Sequence, residues 1–329
     1  MYFLHQVFPT PIISLTFYST AICGFILQIV FYYKRYDIRN ALNQLCKLFD
    51  TLNQRGVIGN KYFYLQLTIL FVSGAAMISA LNVFVFHSEY ERIRREVIFP
   101  FYVPSEIHDL CLGLVLLSSI FSSILGGLTC CFTTLLCDQI YLMTGNLIRS
   151  YRVNLKRNLK TGRLSTFILY EMKSLKAIVS LVDGIDGAFN LCSLLQYCAL
   201  STLIFITITV ALYKETTVRF SWMNYVMGLN FVSTAYAFWR ITLSGSMICD
   251  ESELLKKISV QCSDEIYKQS IIGSNVKDGT LQALSLLLNN IRDVPLQVTG
   301  GGMFVISKNI FLVMTNSLVT YSIIMYQFS

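Results

Sequence analysis

The sequence predicts an all-α integral membrane protein: a bundle of transmembrane helices whose cytoplasmic helical extensions form an anchor base. Two observations predict this class. Of the 329 residues, 54% are hydrophobic and only 14% are charged, and the mean hydropathy is +0.56. Soluble chains of this length carry far more charge. In addition, uncharged runs long enough to cross a bilayer recur along the whole chain.

Six uncharged runs can each form a membrane-spanning helix, which needs roughly 20 residues. These runs are 11–33, 62–88, 110–137, 187–213, 220–239 and 309–329. The corresponding spans are predicted at about 11–33, 62–86, 108–137, 189–213 and 222–246, followed by a terminal span within 303–329. Residues 1–10 carry no Lys or Arg, so the first run does not resemble a cleaved signal peptide.

Basic residues predict the orientation of the bundle. Segments 34–61, 138–190 and 249–302 carry 19 of the 26 Lys and Arg residues. Because cytoplasmic loops are enriched in Lys and Arg, these three segments are expected in the cytoplasm, with both chain ends outside. The net charge of +7 is then a consequence of topology and gives no reason to expect nucleic acid as a partner.

The cytoplasmic segments carry apolar faces with helical spacing, which predicts a helical base below the membrane. Leu136, Ile140, Met143, Leu147 and Tyr151 recur at three- and four-residue steps, so the third span is expected to continue as a helix below the bilayer. Comparable faces lie within 175–182, 254–266 and 281–291. Apolar faces must be buried, so they predict either a compact anchor or a docking surface for partners.

The last span carries a polar stripe. Asn309, Asn316, Thr320 and Gln327 are seven, four and seven residues apart, so at about 100° per residue they fall within a band roughly 40° wide. Such a stripe is what a water-filled path requires of each helix around it. It also fits hydrogen bonding between packed helices, and the stripe alone does not decide between the two. Three glycines precede this span and follow Pro295; they predict a hinge or a sharp joint at Gly300, Gly301 and Gly302.

Other kinds of chemistry find little support in the sequence. The ten cysteines lie mostly in spans or cytoplasmic segments, where free thiols are the expected state. No His, Cys, Asp or Glu spacing fits a metal, and no nucleotide-binding or hydrolase motif is present, so we predict no enzyme, no metal and no cofactor. The intramembrane charges Arg240 and Lys308 lie near cytoplasmic ends, where they are expected to extend towards water.

The C-terminal residues TYSIIMYQF, preceded by GGMFVISKNIFLVMTNSLV, resemble the C-terminal signature of insect gustatory receptors. That signature has a Gly–x–Phe element, matched by Gly302 and Phe304, an apolar run, and then Thr-Tyr, five apolar residues and Gln-Phe. The last two pairs are matched by Thr320 with Tyr321 and by Gln327 with Phe328. The related odorant receptors lack them, so the pattern favours the gustatory branch. The strong match covers about 30 residues.

The resemblance implies a taste chemoreceptor of the plasma membrane of gustatory neurons that acts as a ligand-gated non-selective cation channel. It implies a homo- or hetero-tetramer of gustatory receptor subunits whose last spans line one pore. The expected partners are a small-molecule tastant, permeating cations and membrane lipid. On this basis residues 1–248 form the ligand-sensing bundle, 249–302 the anchor helices and 303–329 the pore-lining span. The family has seven spans and a cytoplasmic N-terminus, whereas six spans are visible here. Counted back from the last span, the run 11–33 is expected to correspond to the second, and the missing first span is expected to reflect a truncated sequence or a shortened isoform.

The resemblance also assigns functional residues. The pore and gate are expected at Asn309, Asn316, Thr320, Tyr321, Gln327 and Phe328. The outer ends of the other spans offer polar and aromatic side chains as candidate ligand contacts, although the aromatics also suit the membrane interface. These candidates are Tyr18, Asn82, Phe86, Thr209, Tyr213, Trp222, Asn224 and Tyr225.

Two other functions compete with the channel. A G-protein-coupled heptahelical receptor would carry Asp-Arg-Tyr-type and Asn-Pro-x-x-Tyr-type elements, and the sequence has neither. A small-molecule carrier would be expected to hold acids or histidines at mid-depth in the membrane, and none is visible there. Both remain alternatives to the channel.

Overall fold

The computed structural model describes residues 11–52, 108–160, 164–212, 221–271 and 278–328, with side chains over the inner parts of these ranges. In these ranges the chain forms six helices and one small sheet. They are α1 Pro11–Leu52, α2 His108–Lys160, α3 Leu164–Leu212, α4 Ser221–Ile271, α5 Asp278–Asp293, β1 Thr299–Gly300, β2 Phe304–Val305 and α6 Lys308–Phe328. The predicted all-helical architecture is therefore confirmed. The predicted span at 62–86 lies outside the described residues.

The first four helices are much longer than a membrane is thick. They contain 42, 53, 49 and 51 residues, which corresponds to about 63–80 Å at 1.5 Å per residue. Each therefore continues without a break from its predicted span into the predicted cytoplasmic base. The predicted domain boundary between residues 248 and 249 falls inside α4. It therefore separates the predicted membrane part of this helix from its predicted cytoplasmic part.

One stretch of the described side chains, Phe167–Phe205 in α3, is long and apolar enough to cross a membrane. About half of the predicted span 11–33 and most of the predicted span 108–137 consist of residues whose side chains are not described. The stretch in α3 is about 58 Å long, nearly twice the hydrocarbon thickness. Its first half carries Glu171, Lys173, Lys176, Asp183 and Asp186, so the predicted span at 189–213 corresponds to its uncharged end.

The long helices pack on one another and on α5. Helix α1 packs on α2 and α3, α2 packs on α4, and α5 packs on α3 and α4. The largest fully buried side chains include Tyr141, Tyr151, Phe189, Leu147 and Ile178. Most of them lie within the apolar faces that the sequence predicts below the membrane. Those faces bury one another, so the base is a packed core.

Ion pairs join α2 to α4 across this core. Arg152 Nε lies 2.6 Å from Glu251 Oε2, and Arg240 Nη2 lies 3.0 Å from Asp138 Oδ2. The position of Arg240 in the sequence suggested that its side chain extends towards water, and that expectation is wrong. The Asp138 side chain is 2% exposed and the Arg240 side chain 20% exposed. A buried carboxylate needs a charged or hydrogen-bonding partner, and Arg240 supplies it.

The cysteines whose side chains the structure describes are free thiols. Cys130, Cys137 and Cys192 are buried among apolar side chains, where thiols behave as small hydrophobic groups.

Candidate functional site: the terminal helix and its joint

Helix α6 presents one face to its own chain. Ile310, Met314, Leu318, Tyr321 and Ser322 are partly buried, and α6 packs on α3 and α4. The steps of four, four, three and one residues keep these side chains on one side of the helix. The Tyr321 ring meets the Phe205 ring of α3 edge-on, with the centroids 5.1 Å apart and the planes at 90°. Within a single copy of the chain, the contacts with α3 and α4 therefore cover one side of α6.

The polar stripe lies on the other side of α6. Asn309, Asn316, Thr320 and Gln327 are all exposed in the single chain. At about 100° per residue, the stripe points roughly 150° away from the centre of the packed face. The side chain of Phe328, the remaining residue of the predicted gate, lies outside the described side chains. The stripe is thus turned away from the bundle of its own chain.

Hydrogen bonding distinguishes the stripe from the other polar residues of α6. The hydroxyls of Thr315, Ser317 and Ser322 donate to the backbone carbonyl oxygens of Phe311, Val313 and Leu318 at 2.7–2.9 Å. Such bonds satisfy a hydroxyl within its own helix. Among the described side chains of α6, the four stripe residues form no hydrogen bond within the chain. Their polar groups are therefore available to water, ions or another copy.

Apolar residues flank the stripe on both sides. Val313 and Ile324 are 65% and 45% exposed on one side, and Leu312 and Val319 are 61% and 54% exposed on the other. Residues of this kind suit contact with lipid or with another apolar helix surface. The stripe is therefore a narrow polar band within an otherwise apolar, unpartnered surface.

A β-hairpin joins the base to α6. Helix α5 ends at Asp293, two residues before Pro295, as expected because the residue before proline disfavours the helical conformation. Thr299 then pairs with Val305 and Gly300 with Phe304 in an antiparallel ladder. Gly301 and Gly302 form the turn with φ of +61° and +70°, values that glycine adopts without steric cost. The hairpin reverses the chain just before α6 begins.

Polar contacts fasten this hairpin to α3. The Asp186 carboxylate accepts the backbone N–H of Thr299 at 2.6 Å and the Thr299 hydroxyl at 2.9 and 3.1 Å. One turn further along α3, the Asn190 carbonyl oxygen accepts the N–H of Gly301 at 2.8 Å. We call these two acceptors and their hairpin donors the clip. Through the clip, the position of the hairpin is fixed by α3.

Side-chain packing fixes the hairpin a second time. The fully buried Ile306 lies against Gly245 of α4, where a β-carbon would overlap the Ile306 side chain. The Phe304 ring packs edge-on against the Tyr197 ring of α3, at 5.6 Å between centroids. Just past the hairpin, Lys308 Nζ lies 2.6 Å from Asp250 Oδ2 of α4. The start of α6 is therefore tied to both helices on which α6 packs.

The three glycines thus form a sharp joint, one of the two structures that the sequence suggested for them. In a loose connection, the backbone N–H and C=O groups would form their hydrogen bonds with water. Here Thr299, Gly301 and Ile306 donate their N–H groups to partners within the chain. Whether the joint also acts as a hinge stays a prediction.

The candidate ligand residues are not brought together by the described part of the structure. Tyr18, Thr209, Trp222, Asn224 and Tyr225 lie on α1, α3 and α4, but their side chains are not described. Asn82, Phe86 and Tyr213 fall outside the described residues altogether. Their role in ligand binding stays a prediction.

Sequence reasoning missed the residues that hold the joint. Asp186, Asn190 and Gly245 were not singled out, because their roles depend on partners far along the chain. One signal could have pointed to Asp186, since it is the last charge before the uncharged run 187–213. A carboxylate at that depth needs a partner.

Comparison with known proteins identifies the family. Residues 12–329 match the family described as 7tm chemosensory receptor. No curated protein matches the chain significantly. Among solved structures, the chain is similar to the insect olfactory receptor OR5 from Machilis hrabei, with a TM-score of 0.61 and 13% identity. The same receptor in complex with eugenol gives a TM-score of 0.53 and 11% identity. Each of these matches covers 97% of this chain and 81% of the receptor.

These matches confirm several expectations. The family is one of membrane receptors, which confirms the integral membrane fold class and the expectation that the chain is not an enzyme. The resemblance seen in the C-terminal motif is confirmed at the level of the chemosensory receptors. Because the match extends from residue 12 to the last residue, this chain belongs to the 7tm chemosensory receptor family.

Proposed function

We propose that the chain is a subunit of a gustatory receptor that works as a ligand-gated, non-selective cation channel. A small tastant binds from the extracellular side, and α6 of each subunit lines a shared pore. One observation carries the proposal: the polar stripe of α6 lies opposite the face that packs on α3 and α4, and its four residues are exposed in the single chain.

Several copies are needed to make a pore from this stripe. One helix cannot enclose water, so stripes from different copies must face a common axis. In that arrangement the exposed flanks, with Leu312 and Val319 on one side and Val313 and Ile324 on the other, pack against neighbouring copies and lipid. The resemblance to gustatory receptors gives four as the number of subunits, either identical or mixed.

The chemistry of the stripe suits weakly selective cation passage. Asn, Thr and Gln side chains offer oxygen atoms that can replace part of the water around a cation. The stripe of Asn309, Asn316, Thr320 and Gln327 carries no charge, so it provides no strong preference between cations of different valence. Gln327 and Phe328 lie at the end of α6 that the predicted topology places outside, where a symmetric ring of side chains can close the path.

The C-terminal motif supports a gustatory role in preference to an olfactory one. Thr320 with Tyr321 and Gln327 with Phe328 match the pairs that odorant receptors lack. Tyr321 packs on Phe205, while Thr320 and Gln327 lie on the stripe, so the motif combines a packing residue with pore-facing residues.

Current in nucleotide-free patches tests the proposal. Excised patches from cells expressing the chain are exposed to a fixed panel of sucrose, fructose, caffeine and denatonium. A channel gives ligand-evoked current without nucleotides, whereas a coupled receptor needs G proteins and a carrier gives no unitary currents.

A cysteine-accessibility experiment tests the pore without knowledge of the ligand. Asn316→Cys and, as the matched control, Leu312→Cys on the flank are each combined with Gln327→Ala, which is expected to raise resting current. A water-soluble thiol reagent should block the Asn316→Cys current and leave the Leu312→Cys current largely unchanged. Equal block, or no block of either, contradicts a pore lined by the stripe.

A further inference from the structure

A groove lies between α1 and α2. Its volume is about 380 Å³, and its walls include Phe31, Ile38 and Phe132. The predicted span 11–33 ends two residues before Arg35, and Phe132 lies in the last turns of the predicted span 108–137. The groove therefore crosses the level at which the hydrocarbon meets the lipid headgroups on the cytoplasmic side.

Two arginines line the cytoplasmic part of this groove. Arg35 and Arg39 are four residues apart on α1, so they lie on the same face, one turn apart. Within the described part of the chain neither arginine forms an ion pair. The adjacent Lys34 differs, because its ammonium lies 3.5 Å from Asp37 and donates to the Gly187 carbonyl oxygen at 3.0 Å. The groove therefore carries two guanidinium charges to which the described residues supply no counterion.

The guanidinium of Arg35 is already held in place. Its central carbon lies 4.6 Å from the Tyr32 ring centroid and 4.8 Å from the Tyr36 ring centroid. Its Nη2 also donates to the Tyr36 hydroxyl at 3.3 Å. Arginine has five N–H donors, so this arrangement leaves most of them for a ligand while it limits the movement of the side chain. Cation–π contacts of this kind orient a guanidinium without neutralising it.

Apart from Asn43, the remaining wall of the groove is apolar. Phe132 is 61% exposed, and Ile38 is buried at the base of the groove. A free phosphate or a soluble acid would use the arginines and gain nothing from this wall. A phospholipid uses both, because its phosphate fits the planar donors of arginine and its acyl chain covers the apolar surface.

We propose that the groove binds an anionic phospholipid of the inner leaflet, with its phosphate at Arg35 and Arg39 and an acyl chain along Phe132. The charge of the groove, its depth in the membrane and its apolar wall all match this occupant. The site lies apart from α6 and does not depend on how the pore is built.

Native mass spectrometry of the purified 329-residue chain tests the proposal. The chain is incubated with phosphatidic acid or with phosphatidylcholine carrying the same acyl chains, and bound lipid is counted. We expect phosphatidic acid to be retained in preference to phosphatidylcholine. The double variant Arg35→Gln/Arg39→Gln should bind phosphatidic acid roughly 30-fold more weakly, given the usual contribution of each basic residue near anionic lipid.

Three further variants separate a built site from general electrostatic attraction. Arg149→Gln/Lys156→Gln removes the same charge from exposed positions of α2 and should change binding by less than about threefold. Arg35→Lys/Arg39→Lys keeps the charge but loses the planar donors, so it should weaken binding by a measurable part of the full loss. Asn43→Trp narrows the groove at an exposed position without a change of charge and should also weaken binding.

Several outcomes overturn the proposal. They are equal retention of the two lipids, equal loss in the groove variant and the Arg149/Lys156 control, and wild-type binding by Asn43→Trp. Displacement of the lipid by millimolar inorganic phosphate alone would show that the arginines recognise phosphate without the apolar wall. Size-exclusion elution and unfolding temperature of each variant establish that a loss of binding is not a loss of fold.

Discussion

Gln327 occupies the last position of the stripe, exposed near the end of α6. If four copies meet there, their amides can bond to one another and close the path, and can still bind water when the ring widens. Gln327→Ala is therefore expected to raise resting current or alter ion selectivity, measured in whole-cell recordings with sodium and with a large organic cation. Ser317→Ala is the control, since that hydroxyl bonds within its own helix. If Gln327→Ala reaches the surface with unchanged leak and selectivity, the gate does not lie at Gln327.

Tyr321 and Phe205 form the ring contact that links α6 to α3. An edge-to-face pair contributes about 0.5–1.5 kcal/mol beyond the burial of its surface. A double-mutant cycle of Tyr321→Ala and Phe205→Ala should therefore show a coupling of about this size in the free energy of unfolding. Tyr321→Phe keeps the ring and should retain most of the coupling, so its remaining effect reports the hydroxyl. Additive effects of the two alanine substitutions would mean that the contact contributes nothing to stability.

Glu171 of α3 lies in the predicted cytoplasmic base, below the span at 189–213. Burial raises the pKa of its carboxyl, and the Asn158 amide, which donates to it at 2.8 Å, acts in the opposite direction. Because the folded chain favours the protonated acid, this group stabilises the fold below the ordinary glutamate pKa. That stability is lost as the pH rises through the raised pKa.

Glu171→Gln resembles the protonated acid and keeps an acceptor for Asn158. Its unfolding temperature at pH 7 should equal or exceed that of the wild type, and the difference should vanish at about pH 3, where the acid is protonated in both states. Glu253→Gln, at an exposed position, removes the same charge and is the matched control. A Glu171→Gln variant that is less stable than the wild type at pH 7 would contradict this account.

At the scale of elements, Gly301 of the hairpin has two separate reasons to be glycine, its backbone conformation and the lack of space for a side chain. Gly301 has a φ of +61°, and a β-carbon there would lie 2.6 Å from Leu194 Cδ2. Gly301→Ala should cost about 1–2 kcal/mol for the backbone alone, and more if Leu194 must move. Gly187→Ala, in α3 with no atom within 4 Å of its added β-carbon, should instead stabilise the helix by up to about 1 kcal/mol. Thermal unfolding of the two variants should therefore shift in opposite directions.

The clip can be tested separately from the turn. Asp186→Ala removes the acceptor of the Thr299 N–H and hydroxyl, and a buried donor left without a partner costs about 1–3 kcal/mol. Hydrogen exchange of the Thr299 and Gly301 amides should become faster in this variant. Asp183→Ala, one turn earlier on an exposed position of α3, should leave both amides protected. Unchanged protection in Asp186→Ala would show that the Asn190 bond and the packing of Phe304 and Ile306 hold the hairpin without Asp186.

The sequence predicts local patterns, but it does not predict contacts between residues that are far apart in the chain. The continuation of α2 to Lys160 and the stripe of α6 could be predicted, because helical periodicity depends on residues three and four positions apart. The partner of Thr299 could not, since Asp186 lies 113 residues earlier in the chain. The pairing of Arg240 with Asp138 could not be predicted for the same reason, since the two residues are 102 positions apart. The glycines predicted a joint, but only the tertiary contacts decide that it is a clipped hairpin.

At the scale of the whole molecule, orientation and assembly are the predictions that matter most. An epitope placed after Ser329 should stain intact cells, because the topology puts the end of α6 outside. An epitope near Arg157, in the predicted cytoplasmic base, should stain only after permeabilisation. The reverse pattern would overturn the orientation, and with it the placement of Gln327 at the outer mouth and of Arg35 at the inner leaflet.

Assembly follows from the unpartnered surface of α6. Mass photometry of the chain in mild detergent should show a species of four copies, alone or with other gustatory subunits. Asn316→Leu and Thr320→Leu would reduce the polar stripe while they preserve helix propensity and apolar flanks. If they leave assembly intact but abolish current, the stripe conducts; if they abolish assembly alone, it serves as a contact between subunits.

The continuity of α2, α3 and α4 has a mechanical consequence. A helix of 53 residues is about 80 Å long, and no described break interrupts it between the outer face of the membrane and the base. If such a rod pivots by about 3° at one end, its middle moves by about 2 Å and its far end by about 4 Å. Helix α6 is much shorter, with 21 residues, and its start is fastened near the middle of α3 and α4, at Asp186 and Asp250. A small rotation of α3 and α4 would thus displace the start of α6 by about half the movement of their far ends.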